Sequence, residues 1–263
     1  MNVATVLFII LLILMVIIGG KRGLKSFFTL CINFIILFIL LILMSAKLDP
    51  IKVTVYGCII ISSITLFYIN GFNKKTVSAL FSTTMVVLIT MLIAYKMGTD
   101  AKIQGFGYEQ LESIGNLSLN VQLNFAQIFM CQILIGLLGA IIDVSISISS
   151  SMNEIYKNNL SITKKSLLTS GINIGKDILG TMTNTLLFAY IGGFMTLIIY
   201  MNELHYSISS ILNAKVFCSE VFQIICGGIG IILIIPITAF ITSIALFSKN
   251  PFNKKIDKEE AAQ

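Results

Sequence analysis

The sequence predicts an all-α protein, a bundle of about seven membrane-spanning helices. Hydrophobic residues make up 56% of the 263-residue chain and charged residues only 11%, whereas a soluble domain carries about 25% charged residues. Several apolar runs reach the roughly 18–20 residues that cross a bilayer. The basic residues are concentrated between these runs. These observations together exclude an ordinary soluble domain.

The apolar runs place the spans at roughly 3–20, 27–46, 52–70, 79–97, 124–147, 177–200 and 220–247. They form a single transmembrane domain, 1–247, and a short charged tail follows at 248–263. The first run has no basic residue before it and is longer than the apolar region of a signal peptide, so we interpret it as a retained span. The third and fourth spans are the weakest. If they formed a re-entrant pair, the count would fall to about five.

The basic residues also predict the orientation of the chain. With the N-terminus outside, 13 of the 18 Lys and Arg residues fall in segments on the inner side, as the positive-inside rule requires. The C-terminus is then cytoplasmic. The lysines form no patch with interleaved aromatic residues, so the net charge of +6 indicates orientation and does not predict nucleic-acid binding.

Small and polar residues recur at steps of three and four along the span 124–147, and therefore share one helix face. They are Gln132, Gly136, Gly139, Ala140, Asp143, Ser147, Ser150 and Glu154. Asp143 is a carboxylate embedded in an apolar segment, and its exposure to lipid would cost about 2.5–3.5 kcal/mol. We therefore expect this face to be in contact with protein.

A second polar face is predicted on the span 177–200, where Asp177, Gly180, Thr181, Asn184 and Phe188 align. The sequence Gly175-Lys176-Asp177 is typical of a helix start, where unpaired N–H groups favour a carboxylate. We therefore expect Asp177 to cap this helix.

Asp143, by contrast, lies within a continuing helix and is the better candidate for binding an ion or a proton. A buried hydrogen bond from its carboxylate to Asn184 or to a threonine is the structural alternative. The glycines Gly136, Gly139, Gly175 and Gly180 are predicted to allow close helix packing. Pro236 is predicted to kink the last span, either as a hinge or as part of a static bundle.

The chain offers little for catalysis or metal binding. His205 is the single histidine, and none of the five cysteines lies in C-x-x-C spacing, so we expect no metal site. No phosphate-binding glycine loop is present in the sequence. An acid–base pair of Asp143 and Asp177 leaves an intramembrane enzyme as a minor alternative. We expect no catalytic residues and no cofactor.

The segments GAIIDVSISISS at 139–150 and SGINIGKDILGTMTNTLLFAY at 170–190 resemble the YibE/F family of bacterial membrane proteins. The segment GIGIILIIPITA at 228–239 is similar to the closing span of that family. The resemblance covers about 124–247, and the first four spans match in hydropathy alone. Family positions that map onto this chain are Asp143, Gly175, Asp177, Gly180, Asn184 and Pro236.

Many members of this family are longer chains with an extracytoplasmic domain after the first span, whereas 47–52 is a short turn here. The resemblance therefore implies the shorter, YibF-type member, located in the plasma membrane of a bacterium. It also implies a longer YibE-type sibling as a candidate partner in a hetero-oligomer, with a homo-oligomer as the other option. It implies no established activity.

These observations predict a permease-like or channel-like protein that moves an ion or a small solute. The predicted pathway is lined by Asp143, Asp177, Thr181, Thr183, Asn184 and the serine stripe that includes Ser147. The alternative is a non-transporting assembly or scaffold subunit, in which the polar hairpin docks a sibling membrane protein. The lipid bilayer is the expected surrounding in both cases.

Overall fold

The computed structural model describes residues 3–46, 48–101, 124–159, 161–203 and 205–248. Within these ranges every regular element is an α-helix. The helices are α1 (Val3–Ser45), α2 (Pro50–Asn70), α3 (Lys74–Ala101), α4 (Phe125–Asn158), α5 (Lys164–Glu203), α6 (Ile208–Asn213) and α7 (Lys215–Phe247). In this part of the chain, 6 helices are long and apolar enough to cross a membrane. The all-α fold class is confirmed, while the charged tail after Ser248 lies outside the described residues.

Helix α1 contains the first two predicted spans, and its two arms meet at Gly20. The backbone leaves helical geometry there, with φ 54° and ψ −133°. The rings of Phe8 and Phe27 lie 4.9 Å apart, although a straight helix would separate these residues by roughly 28 Å. Gly23 lies so close to the carbonyl group of Met15 that a Cβ would overlap it. The chain therefore reverses, and both the positive φ and the close approach require glycine.

Helices α2 and α3 are separated by a tight turn at 71–73. Gly71 has φ 73°, and its N–H donates to the carbonyl of Phe67. Asn73 and Thr76 then cap α3 reciprocally: each side-chain oxygen accepts the backbone N–H of the other residue at 3.0 Å. This arrangement satisfies donors that a helix start leaves unpaired. Both helices are long and apolar enough to cross a membrane.

The hairpin of α4 and α5 is more helical than the sequence predicts. Helix α5 begins at Lys164, because the Thr163 hydroxyl accepts the N–H of Ser166 at 3.2 Å and caps the helix there. Asp177 consequently lies well inside a continuous helix. The prediction that Asp177 caps this helix is wrong, because Gly175 keeps its helical conformation and is buried against Ile235 of α7.

Helices α3, α4 and α7 form the centre of the bundle, and each packs against the other two. Helix α5 packs against α4 and α7, while α2 packs against α3 and α4 and carries α1. The fully buried residues at the centre include Leu134, Leu137, Ile141, Ile231 and Ile234. Burial of these large aliphatic side chains fixes which face of α4 points inward.

Aromatic contacts show that α4 and α7 run in the same direction. The rings of Phe129 and Phe222 are 5.8 Å apart near the beginning of both helices. Those of Tyr156 and Phe247 are 5.1 Å apart near their ends.

The basic residues at the start of α3 and around the turn between α4 and α5 meet at one end of the bundle. Lys75 Nζ donates to Ser150 Oγ at 3.4 Å, so α3 starts beside the end of α4. Lys164 and Lys165 begin α5 immediately after the turn that follows α4. The clustering is what the positive-inside rule needs at one membrane surface, and the sidedness stays a prediction.

Candidate functional site

The small and polar face of α4 lies on the outside of the described chain. Its exposed members are Gln132, Gly136, Gly139, Asp143, Ser147 and Glu154, while Ala140 and Ser150 are half-buried. The opposite face carries larger aliphatic side chains, such as Leu137 and Ile141, which are buried against α3 and α7. Because that face buries more apolar area, the polar face is left flanked by neighbouring helices but not covered by them.

Asp143 lies at the junction of two cavities. A cavity of about 370 Å³ opens between α1, α2 and α4, and its lining includes Asn33, Phe34 and Thr65. A second cavity of about 360 Å³ opens between α4 and α5, and its lining includes Thr185 and Tyr190. Of the described residues, Asp143 alone lines both. The carboxylate therefore has access to space on both sides of α4.

A buried amide forms part of the first cavity wall. Asn33 Nδ2 donates to Thr65 Oγ1 at 3.0 Å and joins α1 to α2. The Asn33 Oδ1 atom is buried and accepts no hydrogen bond from any described residue. Because buried polar atoms are normally paired, this oxygen is an unsatisfied acceptor within the cavity wall.

A tyrosine hydroxyl contributes to the second cavity wall. The Tyr190 hydroxyl lies against Gly136, where an added Cβ would overlap it. It is buried and has no hydrogen-bond partner in the part of the chain that the structure describes. Thr185, in the same wall, donates its hydroxyl to the carbonyl of Thr181 at 2.8 Å and keeps its oxygen lone pairs for a further donor.

Asp143 itself is exposed. Its carboxylate forms no hydrogen bond or ion pair with the residues described, so the predicted alternative of a bond to Asn184 or a threonine is not observed. The same part of the chain contains no group of three or more His, Cys, Asp or Glu residues that could hold a metal ion. The arrangement is thus a single carboxylate with uncharged oxygen atoms on either side.

Three other predicted pathway residues lie on a different surface, whereas the predicted pathway residue Thr183 is half-buried. Asp177, Thr181 and Asn184 are all exposed on α5. At about 100° per residue, Asp177 is about 180° around the helix from Leu186, which lines the second cavity. The structure therefore separates the predicted pathway into Asp143 and Ser147 on α4 and an outer stripe on α5.

The predicted packing glycines differ in their surroundings. A Cβ at Gly175 would overlap the side chain of Ile235, so α5 and α7 are in close contact there. Gly139 and Gly180 have no atom within 4 Å of a Cβ position, which leaves open space beside both. Pro236 lies inside α7 with an exposed side chain.

Four residues of the cavity walls were not predicted: Asn33, Thr65, Thr185 and Tyr190. Asn33 had a usable signal, because it is the one amide within the apolar run 27–46. Intramembrane polar residues usually face protein or a cavity. Thr65, Thr185 and Tyr190 had no such signal in the sequence, since threonine and tyrosine are common in membrane helices of every kind.

The chain matches the sequence profile of the YibE/F-like proteins over residues 7–248. The match extends well beyond 124–247, the range of the resemblance found in the sequence, and includes the helices that provide both cavity walls. The narrower range was wrong because the first four spans offer few polar residues by which a family can be recognised by eye. No curated protein and no solved structure matches the chain significantly. Since the profile covers almost its full length, the chain belongs to the YibE/F family.

Proposed function

We propose that this chain is a permease-like membrane protein that moves a cation, with Asp143 as the group that binds it. The observation that supports this most is the carboxylate of Asp143 at the junction of two cavities. A carboxylate inside a membrane helix costs about 2.5–3.5 kcal/mol when it faces lipid. A bound cation would offset this cost, so the site would favour cation binding.

The proposal places Asp143 in a single transmembrane domain, 1–247, in the plasma membrane of a bacterium. It has about seven spans, an external N-terminus and a cytoplasmic C-terminus. Helix length supports this assignment, since α4 and α5 contain 34 and 40 residues and about 20 residues cross a bilayer. The part of α4 beyond Asp143 can therefore extend toward the basic end of the bundle.

Ser147, Thr185 and Tyr190 are proposed to line the pathway beside Asp143. Ser147 is one helical turn from Asp143 on the same exposed face. Thr185 and Tyr190 line the second cavity together with Asp143. The stripe of Asp177, Thr181 and Asn184 is given no part in cation binding. The proposed role is transport and does not include catalysis.

Transport by purified protein in proteoliposomes tests the proposal. Proton flux would be followed with an enclosed pH dye, and Na⁺ and Rb⁺ flux with radioactive tracers. We expect Asp143→Asn to lower the cation flux at least about tenfold, the scale expected when a charged partner is removed. Asp177→Asn, the same chemical change at an exposed position of α5, is the control and should retain the flux.

Unchanged flux in Asp143→Asn would overturn the proposal, and equal loss in both variants would overturn the assignment of the site. If neither wild type nor variant moved any cation, a tagged pull-down from mild detergent would test the alternative, a non-transporting assembly or scaffold subunit. A stoichiometric membrane partner recovered there would favour the non-transporting subunit.

A further inference from the structure

We infer that the cargo of this site is an organic monocation, a protonated amine with an apolar body, because a lone carboxylate lies between two largely apolar cavities. This inference rests on the proposed function and names its substrate class. It depends on the size of the cavities, on the number and type of their polar atoms, and on the open side of α4.

The cavity dimensions fit a small organic molecule. Volumes of about 370 and 360 Å³ lie within the roughly 300–1,000 Å³ of small-molecule sites. Most of the lining is apolar, including Leu30 and Phe34 in the first cavity and Met182 and Leu186 in the second. An apolar body would lose its contact with water or headgroups in either cavity, whereas a bare metal ion would gain nothing from these walls.

The polar atoms are too few and too separated for a divalent metal ion. Divalent ions such as Ca²⁺ take about 6–8 oxygen ligands, and Mg²⁺ requires a near-octahedral set. The described walls offer one carboxylate, from Asp143, with the unpaired oxygens of Asn33 and Tyr190 in different cavities. An ammonium group has at most three N–H donors, so it needs far fewer acceptors than either divalent ion.

Each cavity has an aromatic side chain in its lining. Phe34 lines the first cavity and Tyr190 the second. A cation is attracted to the face of an aromatic ring within about 6 Å. Each cavity therefore combines access to Asp143 with an aromatic wall and an aliphatic wall.

The open side of α4 indicates how such a molecule enters. Gly136, Gly139 and Asp143 are exposed, and no atom lies within 4 Å of a Cβ position at Gly139. An amphiphilic amine concentrates at the membrane interface, with its charge among the headgroups and its apolar body in the acyl chains. It can reach Asp143 laterally between the helices without crossing the buried centre of the bundle.

A basic side chain on the helix of another membrane protein has the same charge as an ammonium group. A docked helix is therefore the alternative occupant that the experiment has to distinguish from an amine.

Binding to the full chain in lipid nanodiscs tests the inference. The probe is 3-phenylpropylammonium, and its neutral counterpart of similar shape, 3-phenylpropanol, is the matched control. We expect calorimetry to show that the amine binds wild type at least about tenfold more tightly than Asp143→Asn. The alcohol should bind both proteins equally weakly. Asp143→Glu should keep most of the affinity, and Asp177→Asn all of it.

The outcomes separate this inference from the proposed function. If flux of H⁺, Na⁺ or Rb⁺ depends on Asp143 but the amine neither binds nor competes with that flux, the inference is overturned and the proposed function stands. If Asp143→Asn changes neither the flux of H⁺, Na⁺ or Rb⁺ nor the binding of the amine, both fail. If Gly139→Cys cross-links to another membrane protein and the amine does not bind, a docked helix is the occupant and the inference fails.

Discussion

The hydroxyl of Tyr190 on α5 lies against the α-carbon of Gly136 on α4, with no room for a Cβ between them. Both residues line the second cavity beside Asp143. Gly139, one turn further along α4, has no atom within 4 Å of a Cβ position. Two glycines on one helix face thus have opposite surroundings, which makes them a matched pair for testing the structure.

We expect Gly136→Ala to destabilise the protein and Gly139→Ala to leave it unchanged or slightly more stable. Overpacking at residue 136 costs about 1–3 kcal/mol, whereas alanine in an open helix position gains up to about 1 kcal/mol over glycine. Thermal unfolding in detergent measures both. Because the overlapping atom is the hydroxyl oxygen, Gly136→Ala combined with Tyr190→Phe should recover most of the loss; no recovery would place the contact elsewhere.

Gly175→Ala is expected to separate α5 from α7. A Cβ at this position would overlap Ile235, a branched side chain in the buried centre that has little freedom to move. The expected loss is again about 1–3 kcal/mol, read as a lower unfolding temperature. Gly180→Ala is the control, since the space beside Gly180 is open. Shortening the partner with Ile235→Ala should reduce the additional cost of Gly175→Ala, and strictly additive losses would contradict the contact.

Thr65→Val is expected to lower both stability and amine affinity. It leaves Nδ2 of Asn33 without its acceptor, and such interhelical bonds in membranes contribute on average about 0.6 kcal/mol. The amide is then free to rotate away from the cavity, so we expect a severalfold weaker amine binding. Ser63→Ala is the control, because the Ser63 hydroxyl donates only to the carbonyl of Ile59 one turn earlier. Equal effects of the two substitutions would show that the Asn33–Thr65 bond has no special role.

The all-α fold class was readable from the sequence because it depends on local properties, the length and polarity of each run. The start of α5 was not, because Gly175-Lys176-Asp177 has the composition of a helix start. The choice of Thr163 as the cap depends on its hydrogen bond to Ser166. Gly175 serves a tertiary contact instead, and a single sequence does not reveal which role a glycine has.

The candidate site was predicted in part for a similar reason. Asp143 was identifiable because a carboxylate in an apolar run is unusual whatever surrounds it. Its neighbours come from α1, α2 and α5, and helical periodicity says which residues share a face but not which helix lies opposite. Periodicity placed Asp177 and Asn184 together correctly on one face of α5, yet the packing of Leu186 against Gly227 turns that face outward.

The reversal at Gly20 determines the number of spans, and hence whether the two ends of the described chain lie on the same side of the membrane. If both arms of α1 cross the bilayer, the count is odd and Val3 and Ser248 lie on opposite sides; if α1 crosses once, they lie on the same side. The close packing of Phe8 on Phe27 favours two crossings, since each arm has enough apolar residues to span.

In a background without the native cysteines, we expect Val3→Cys to react with an impermeant maleimide added to intact cells. Ser248→Cys should react only after permeabilisation. Gly20→Ala should weaken the reversal, because φ 54° with ψ −133° is a region that glycine enters readily and that costs other residues about 1–3 kcal/mol. It should also lower disulfide cross-linking between Phe8→Cys and Phe27→Cys. Gly19→Ala, with open space around it, should not. Labelling of Val3→Cys and Ser248→Cys from the same side would show that α1 does not cross twice, and would reverse the predicted orientation of one end of the chain.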